Sequence, residues 1–132
     1  MVCCPAHRMP FTYVFDAAAN IVRTTAHGLV RFDDLAGHLQ ALMASDVARV
    51  PQLIDARHAQ HDLPAADIRR LVELVTQLRA AYGFSRRTAL VVSTPMDFGM
   101  ARMYEALAQK VDPDFSVFRD LGEAEAWLRS AR

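Results

Sequence analysis

Two short apolar runs open the ordered pattern of this chain. Phe11 to Phe15 and Ile21 to Val30 have strand composition, and the Asp16–Asn20 break between them predicts an antiparallel hairpin. Gly28, near the end of the second run, is the residue type expected at a bulge or at a close backbone approach. From about Phe32 the period lengthens: Leu35, Leu39, Leu42 and Met43 share one helical face, with Asp33 and Asp34 in the dipole-favoured first turn. Val50 to Ala56 reads as a buried strand, with Pro51 near its start. Pro64 then opens the longest helix, whose stripe is Ile68, Leu71, Val72, Val75, Leu78 and Tyr82, and Gly83 is its expected stop.

Thr88 to Val92 is short and almost wholly apolar, as strands covered on both faces are. Thr94 and Pro95 cap and start another helix, with a predicted inner stripe of Met96, Met100, Met103, Leu107 and Val111. Phe98 falls roughly opposite Met100 and is expected outside that stripe. Phe115 to Phe118 is the last strand, and Asp120 with Glu123 resembles a capping box for a final helix lined by Leu121, Ala124, Leu128 and Ala131. The order is β-β-α-β-α-β-α-β-α. It predicts an α/β fold with a mixed, mostly parallel sheet, right-handed crossovers and an N-terminal antiparallel hairpin. Residues 1–10 are expected to be a loose tail, and 11–132 a single domain.

Composition narrows the class. Apolar residues are 52% of 132, enough for a core, and fifteen basic side chains balance fifteen acidic ones. That balance leaves no electrostatic footprint for nucleic acid. Cys3 and Cys4 are adjacent and build no disulfide framework, and no apolar run reaches the length of a membrane span. No secretory signal pattern precedes Phe11, so a cytoplasmic protein is expected.

Catalytic signatures are missing. The five glycines are scattered, Lys110 is the only lysine, and the chain has no dinucleotide turn, phosphate loop, nucleophile elbow or zinc-protease helix. Three groups of residues still carry candidate chemistry. Asp55, His58, His61 and Asp62 have the side chains of a zinc or iron site, in a small metal-dependent enzyme; they also suit an exposed polar loop. Cys3, Cys4 and His7 form a weaker set. Arg57, Ser93 and Thr94 should meet at one sheet edge beside a helix N-terminus, where an anionic head group is favoured; the alternative is a helix cap and a surface charge. Met96, Phe98, Met100, Met103 and Tyr104 exceed what one buried stripe needs and suit an apolar ligand or a partner surface, or else ordinary core.

Several strings resemble a known family. They are Gly28-Leu-Val-Arg-Phe-Asp-Asp-Leu35, Leu53-Ile-Asp-Ala-Arg57, Ala89-Leu-Val-Val92, Phe98-Gly-Met-Ala-Arg-Met-Tyr-Glu-Ala-Leu107 and Val117-Phe-Arg-Asp-Leu-Gly-Glu-Ala-Glu-Ala-Trp-Leu128. From Phe11 onward the chain resembles the STAS-domain superfamily, specifically its SpoIIAA-like stand-alone proteins. The resemblance implies a non-catalytic binding or regulatory module without a cofactor. Its expected partners are an apolar or lipid-like small molecule or a protein, with a homodimer plausible for so small a domain and no nucleic acid or transmembrane segment. Anti-sigma-factor antagonists of that superfamily carry a phosphorylated serine after the central strand. Here the matching region is Asp62-Leu63-Pro64-Ala65, with no serine or threonine between Asp55 and Arg70. A sigma-factor-type regulator would therefore have to work without the usual phosphoserine.

Overall fold

The computed structural model describes residues 10–83 and 86–130. The expectations for the tail, for Cys3, Cys4 and His7, and for Ala131 lie outside these residues, apart from Pro10, whose carbonyl accepts from the His27 amide at 3.1 Å. The elements are β1 (Phe11–Asp16), β2 (Ile21–Val30), α1 (Phe32–Met43), β3 (Gln52–His61), α2 (Ala65–Tyr82), β4 (Thr88–Val91), α3 (Pro95–Leu107), β5 (Phe115–Phe118) and α4 (Leu121–Arg129). No helix among the described residues is long and apolar enough to cross a membrane.

The sheet order is β1-β2-β3-β4-β5, with β1 antiparallel to β2 and the other pairs parallel. Each new parallel strand is added on the same side of the last. Right-handed crossovers in one constant direction place all their helices on one face, and α1, α2 and α3 do pack side by side over a common cluster. Helix α4 follows the last strand and covers the opposite face. Topology alone thus gives the sheet one three-helix face and one single-helix face.

Local chemistry sets the boundaries. Asn20 turns the hairpin in the left-handed region (φ 55), which short polar side chains tolerate, and Asp16 accepts the Ala19 amide at 3.2 Å. Asp34 reaches back to the Arg31 amide at 3.0 Å, and Thr94 caps α3 by accepting from Asp97 N–H at 3.1 Å. Gly83 ends α2 in a left-handed conformation.

Four details depart from expectation. Strand β3 runs on to His61 rather than stopping at Ala56, because β2 supplies ladder partners to the end, Val30 lying opposite His61. Thr25 pairs with Asp55 but His27 with His58, so β3 carries one extra residue, a bulge that resets which side chains face inward. Gly28 sits at φ 77 with nothing within 4 Å of a would-be Cβ; its positive φ requires glycine, not a close approach. In α3 the buried residues are Ala101 and Tyr104, while Met96 is 79% exposed and Phe98 packs on the core. The inner face is therefore turned from the predicted methionine stripe: small alanines let the helix approach, and a stripe of large side chains would hold it off.

The single-helix face is filled by Ile21, Leu53, Ala89, Val91, Ala124 and Leu128, with Phe118 and Trp127 packed against them. Arg23 ties the hairpin to α4, donating to Asp16 at 2.9 Å and to Glu125 at 2.7 Å.

Candidate functional site

The three-helix face is not filled. Between the sheet and α1, α2 and α3 lies a cavity of about 130 Å³. Alternation along the strands places Ile54, Ala56, Leu90 and Val92 on its floor, and Leu35, Leu39, Leu71, Val75 and Met100 come from the helices above. Its middle is aliphatic and aromatic, and polar side chains enter the lining toward its ends.

Polar groups collect where β3 and β4 begin. Gln52, fully buried, accepts from Thr24 Oγ1 at 2.8 Å through Oε1, which also lies 2.8 Å from His38 Nε2. His38 stacks on Phe11 with ring centroids 4.7 Å apart. Burial holds its pKa below the ordinary value of 6.5, with the Arg86 charge acting in the same direction and the Gln52 contact against it. Nearby, Arg79 donates to Asp112 at 2.6 Å and Tyr104 OH to the same carboxylate at 2.8 Å. Burial raises the Asp112 carboxyl above its ordinary value against the pull of Tyr104, Arg79 and Arg86, and burial also pushes the Tyr104 phenol up.

Arg86 is 9% exposed; its Nη1 donates to Ala48 O at 2.8 Å and contacts Met43 Sδ at 3.3 Å. Burial pushes its guanidinium down to about 10, which leaves it charged at neutral pH. Two donors in this group, Gln52 Nε2 and Arg86 Nε, are buried with no hydrogen-bond partner among the described residues. An unmade hydrogen bond of this kind costs about 1–3 kcal/mol, so such groups ask for an explanation.

His61 and Asp97 line the other end, beside the C-terminus of β3. Their Nδ1 and Oδ1 are 3.3 Å apart but not aligned as a hydrogen bond, since the ring nitrogen has no hydrogen-bond partner among the described residues.

The sequence candidates are distributed as follows. The bulge puts His58 outward and exposed while His61 faces the cavity, and Asp62 is exposed. Asp55 is committed to Arg57 by contacts of 2.8 Å to each carboxylate oxygen, and that guanidinium holds its carboxyl below the ordinary value. Among the described residues no three His, Cys, Asp or Glu side chains gather as a metal site requires, which corrects the reading of Asp55, His58, His61 and Asp62 as one cluster. Arg57 and Ser93 do meet, through a 2.9 Å bond from Ser93 Oγ to Arg57 O, with Thr94 beside them as a helix cap. The Arg57 charge is already paired with Asp55. From the methionine-rich helix, Met100 and Tyr104 line the cavity, Met103 packs among the three helices, and Met96 points to solvent.

Sequence reading missed Gln52, Arg79, Arg86, Asp112 and His38. Gln52 carries the one available signal, a polar residue opening an apolar strand run; the rest sit in polar or mixed surroundings.

No family model matches the chain, and no curated protein does. Among solved structures it is similar to an uncharacterised DUF3478-family protein with a SpoIIAA-like fold from Shewanella loihica PV-4. The TM-score is 0.57 at 19% identity, over 89% of this chain and 93% of that one. The fold is SpoIIAA-like. At that identity the likeness speaks for architecture alone.

Proposed function

We propose that this chain is a non-catalytic binding module that holds an apolar small molecule in the cavity between its sheet and its three-helix face. The observation that carries the reading is the cavity itself. Core interiors are packed to crystal-like density with few voids larger than a water, whereas this one spans about 130 Å³ with a mostly apolar lining that gives way to polar groups at its two ends. Apolar cavities of comparable size stay dry and accept benzene-sized molecules. Around the cavity the polar contacts are those of Gln52 with Thr24 and His38 and of Asp112 with Arg79 and Tyr104, and among the described residues no nucleophile–base pair is found there.

Native mass spectrometry before and after denaturation tests for a co-purified ligand, and calorimetric titration with toluene tests the empty cavity. Retained mass or saturable toluene binding that Ala101→Phe abolishes is the expected result. A protein with no retained mass and no toluene binding has no ligand site here.

A second reading, a homodimer or other protein partner, is favoured by the edge strand β1, which exposes Val14 (66%) and Phe15 (46%) beside a strand edge that has no partner strand among the described residues. Sedimentation of wild type and Val14→Lys separates it: a dimer lost in the variant supports it, and a concentration-independent monomer rejects it.

A further inference from the structure

We propose that two copies of this chain join edge to edge through β1, antiparallel about a two-fold axis at Tyr13, so that one sheet continues into the other. This rests on the second reading above and names its partner and register.

Two bonds fix which backbone groups of β1 face outward. His27 N–H donates to Pro10 O at 3.1 Å and Val22 N–H to Pro51 O at 2.8 Å, so the odd-numbered residues of β2 address β1 and the even-numbered ones β3. Phe11 lies opposite Ala26 and Asp16 opposite Ile21, in continuous register. Thr12 and Val14 therefore turn their N–H and C=O toward β2, and Phe11, Tyr13 and Phe15 turn theirs toward the open edge. Natural edges are blunted by lysine, proline, bulges or inward charges, and Phe11 to Phe15 carries none of these. The other edge strand, β5, is shorter and flanked by α3 and α4.

What selects a second copy is the pattern of the strand, in which aromatic and β-branched residues alternate symmetrically about Tyr13. Turned about that residue, Phe11 comes opposite the partner's Phe15, Tyr13 opposite the partner's Tyr13, and Thr12 opposite the partner's Val14. Every outward N–H and C=O of Phe11, Tyr13 and Phe15 is then matched. Moving the axis to Thr12 or Val14 leaves Phe15 or Phe11 opposite no residue of β1. The exposed apolar surface falls in the seam: Val14 meets Thr12 in the closer, non-hydrogen-bonded position, and Tyr13 and Phe15 pair with aromatics on the other face. Charge agrees. Asp16, the one charged residue of β1, is held by Arg23, and this register keeps its two copies at opposite ends of the seam.

Phe11 to Phe15 is far shorter than the about 20–30 residues a side of a standard interface, so the dimer should be weak and concentration-dependent. Amide exchange by NMR, beside sedimentation, tests the full chain from about 20 µM to about 1 mM. As the dimer forms, exchange at Phe11, Tyr13 and Phe15 should slow by about threefold or more, while Thr12 and Val14, bonded to β2, are protected throughout. With Cys3→Ser and Cys4→Ser in place, Tyr13→Cys should cross-link to its copy on oxidation. Thr12→Cys should not, because Thr12 and its copy are two residues out of register. A dimer whose Phe11, Tyr13 and Phe15 amides stay unprotected, or one in which Thr12→Cys cross-links as readily as Tyr13→Cys, overturns the Tyr13 seam and leaves the dimer reading standing. A monomer at every concentration overturns both.

Discussion

The two faces of the sheet are built from similar residues and end differently. On one, α4 alone lies on Ile21, Leu53, Ala89 and Val91, and the completely buried Ala89 and Ala124 leave no room beneath it. On the other, α1 packs against α2 and α2 against α3, over the cavity. A lone helix can settle onto a sheet until the gap closes. Three helices braced against one another cannot each do so, because their mutual packing distance of 8–10 Å fixes their spacing first. Hydrophobic content does not distinguish a filled layer from a hollow one; the number of elements sharing the face does.

The strongest way to break this contrast is to truncate a leucine on each side. Leu128→Ala, in the filled layer, should cost about 2–5 kcal/mol, and Leu71→Ala, which borders the cavity, should fall at or below the lower end of that range. Equal or reversed costs in urea unfolding would remove the distinction. Enlargement is the complementary change. Ala124→Leu should overpack α4 and cost about 1–3 kcal/mol, whereas Ala101→Leu projects toward free volume and should cost less than about 1 kcal/mol.

Acidification separates the faces by a different route. The folded-state pKa of His38 is depressed, so its contribution is fully present above 6.5 and is lost as pH falls through the depressed folded value. Asp112, with its pKa raised, acts in the opposite sense: the folded state gains through it on acidification. Comparing wild type with His38→Gln isolates the histidine, and the variant should lose the part of the stability decline that begins near 6.5. On the filled side, Asp16 holds a lowered pKa through Arg23, so its contribution is present above 3.8 and is lost only as pH falls through that lowered value. A wild type and variant with superimposable pH profiles would show His38 to be inert. The smallest effect belongs to Met96→Ser: at 79% exposure it should shift stability by no more than about 0.5 kcal/mol in a thermal melt, and a larger loss would mean that α3 is covered by something on its outer side.

Much of this was legible in the linear chain. The hairpin, the alternation of strands and helices, the Thr94 cap and the Gly83 stop each rest on local rules, and local rules act within a few residues. The errors share a cause. Helix α3 has apolar residues on more than one face, so the period of 3.6 did not decide which face turns inward; Ala101 and Ala108 did, through how closely they let it approach. The histidines of β3 read as a loop because polar residues hide a strand whose hydrogen bonds are supplied by β2.

What the sequence determined by itself is the class and order of the elements, since hydrophobic period and capping chemistry act along the chain. Gln52, Arg86 and Asp112 are separated by tens of residues, and no pattern in the chain pairs them. Only the tertiary structure decided that they share one end of one cavity. Constant-direction crossovers carried three helices to a single face, and the bulge in β3 turned His61 inward and His58 out. Burial then changes what those residues are: a surface glutamine or arginine is satisfied by water, but the same donor in a water-poor interior must find its acceptor in another part of the fold or in a ligand.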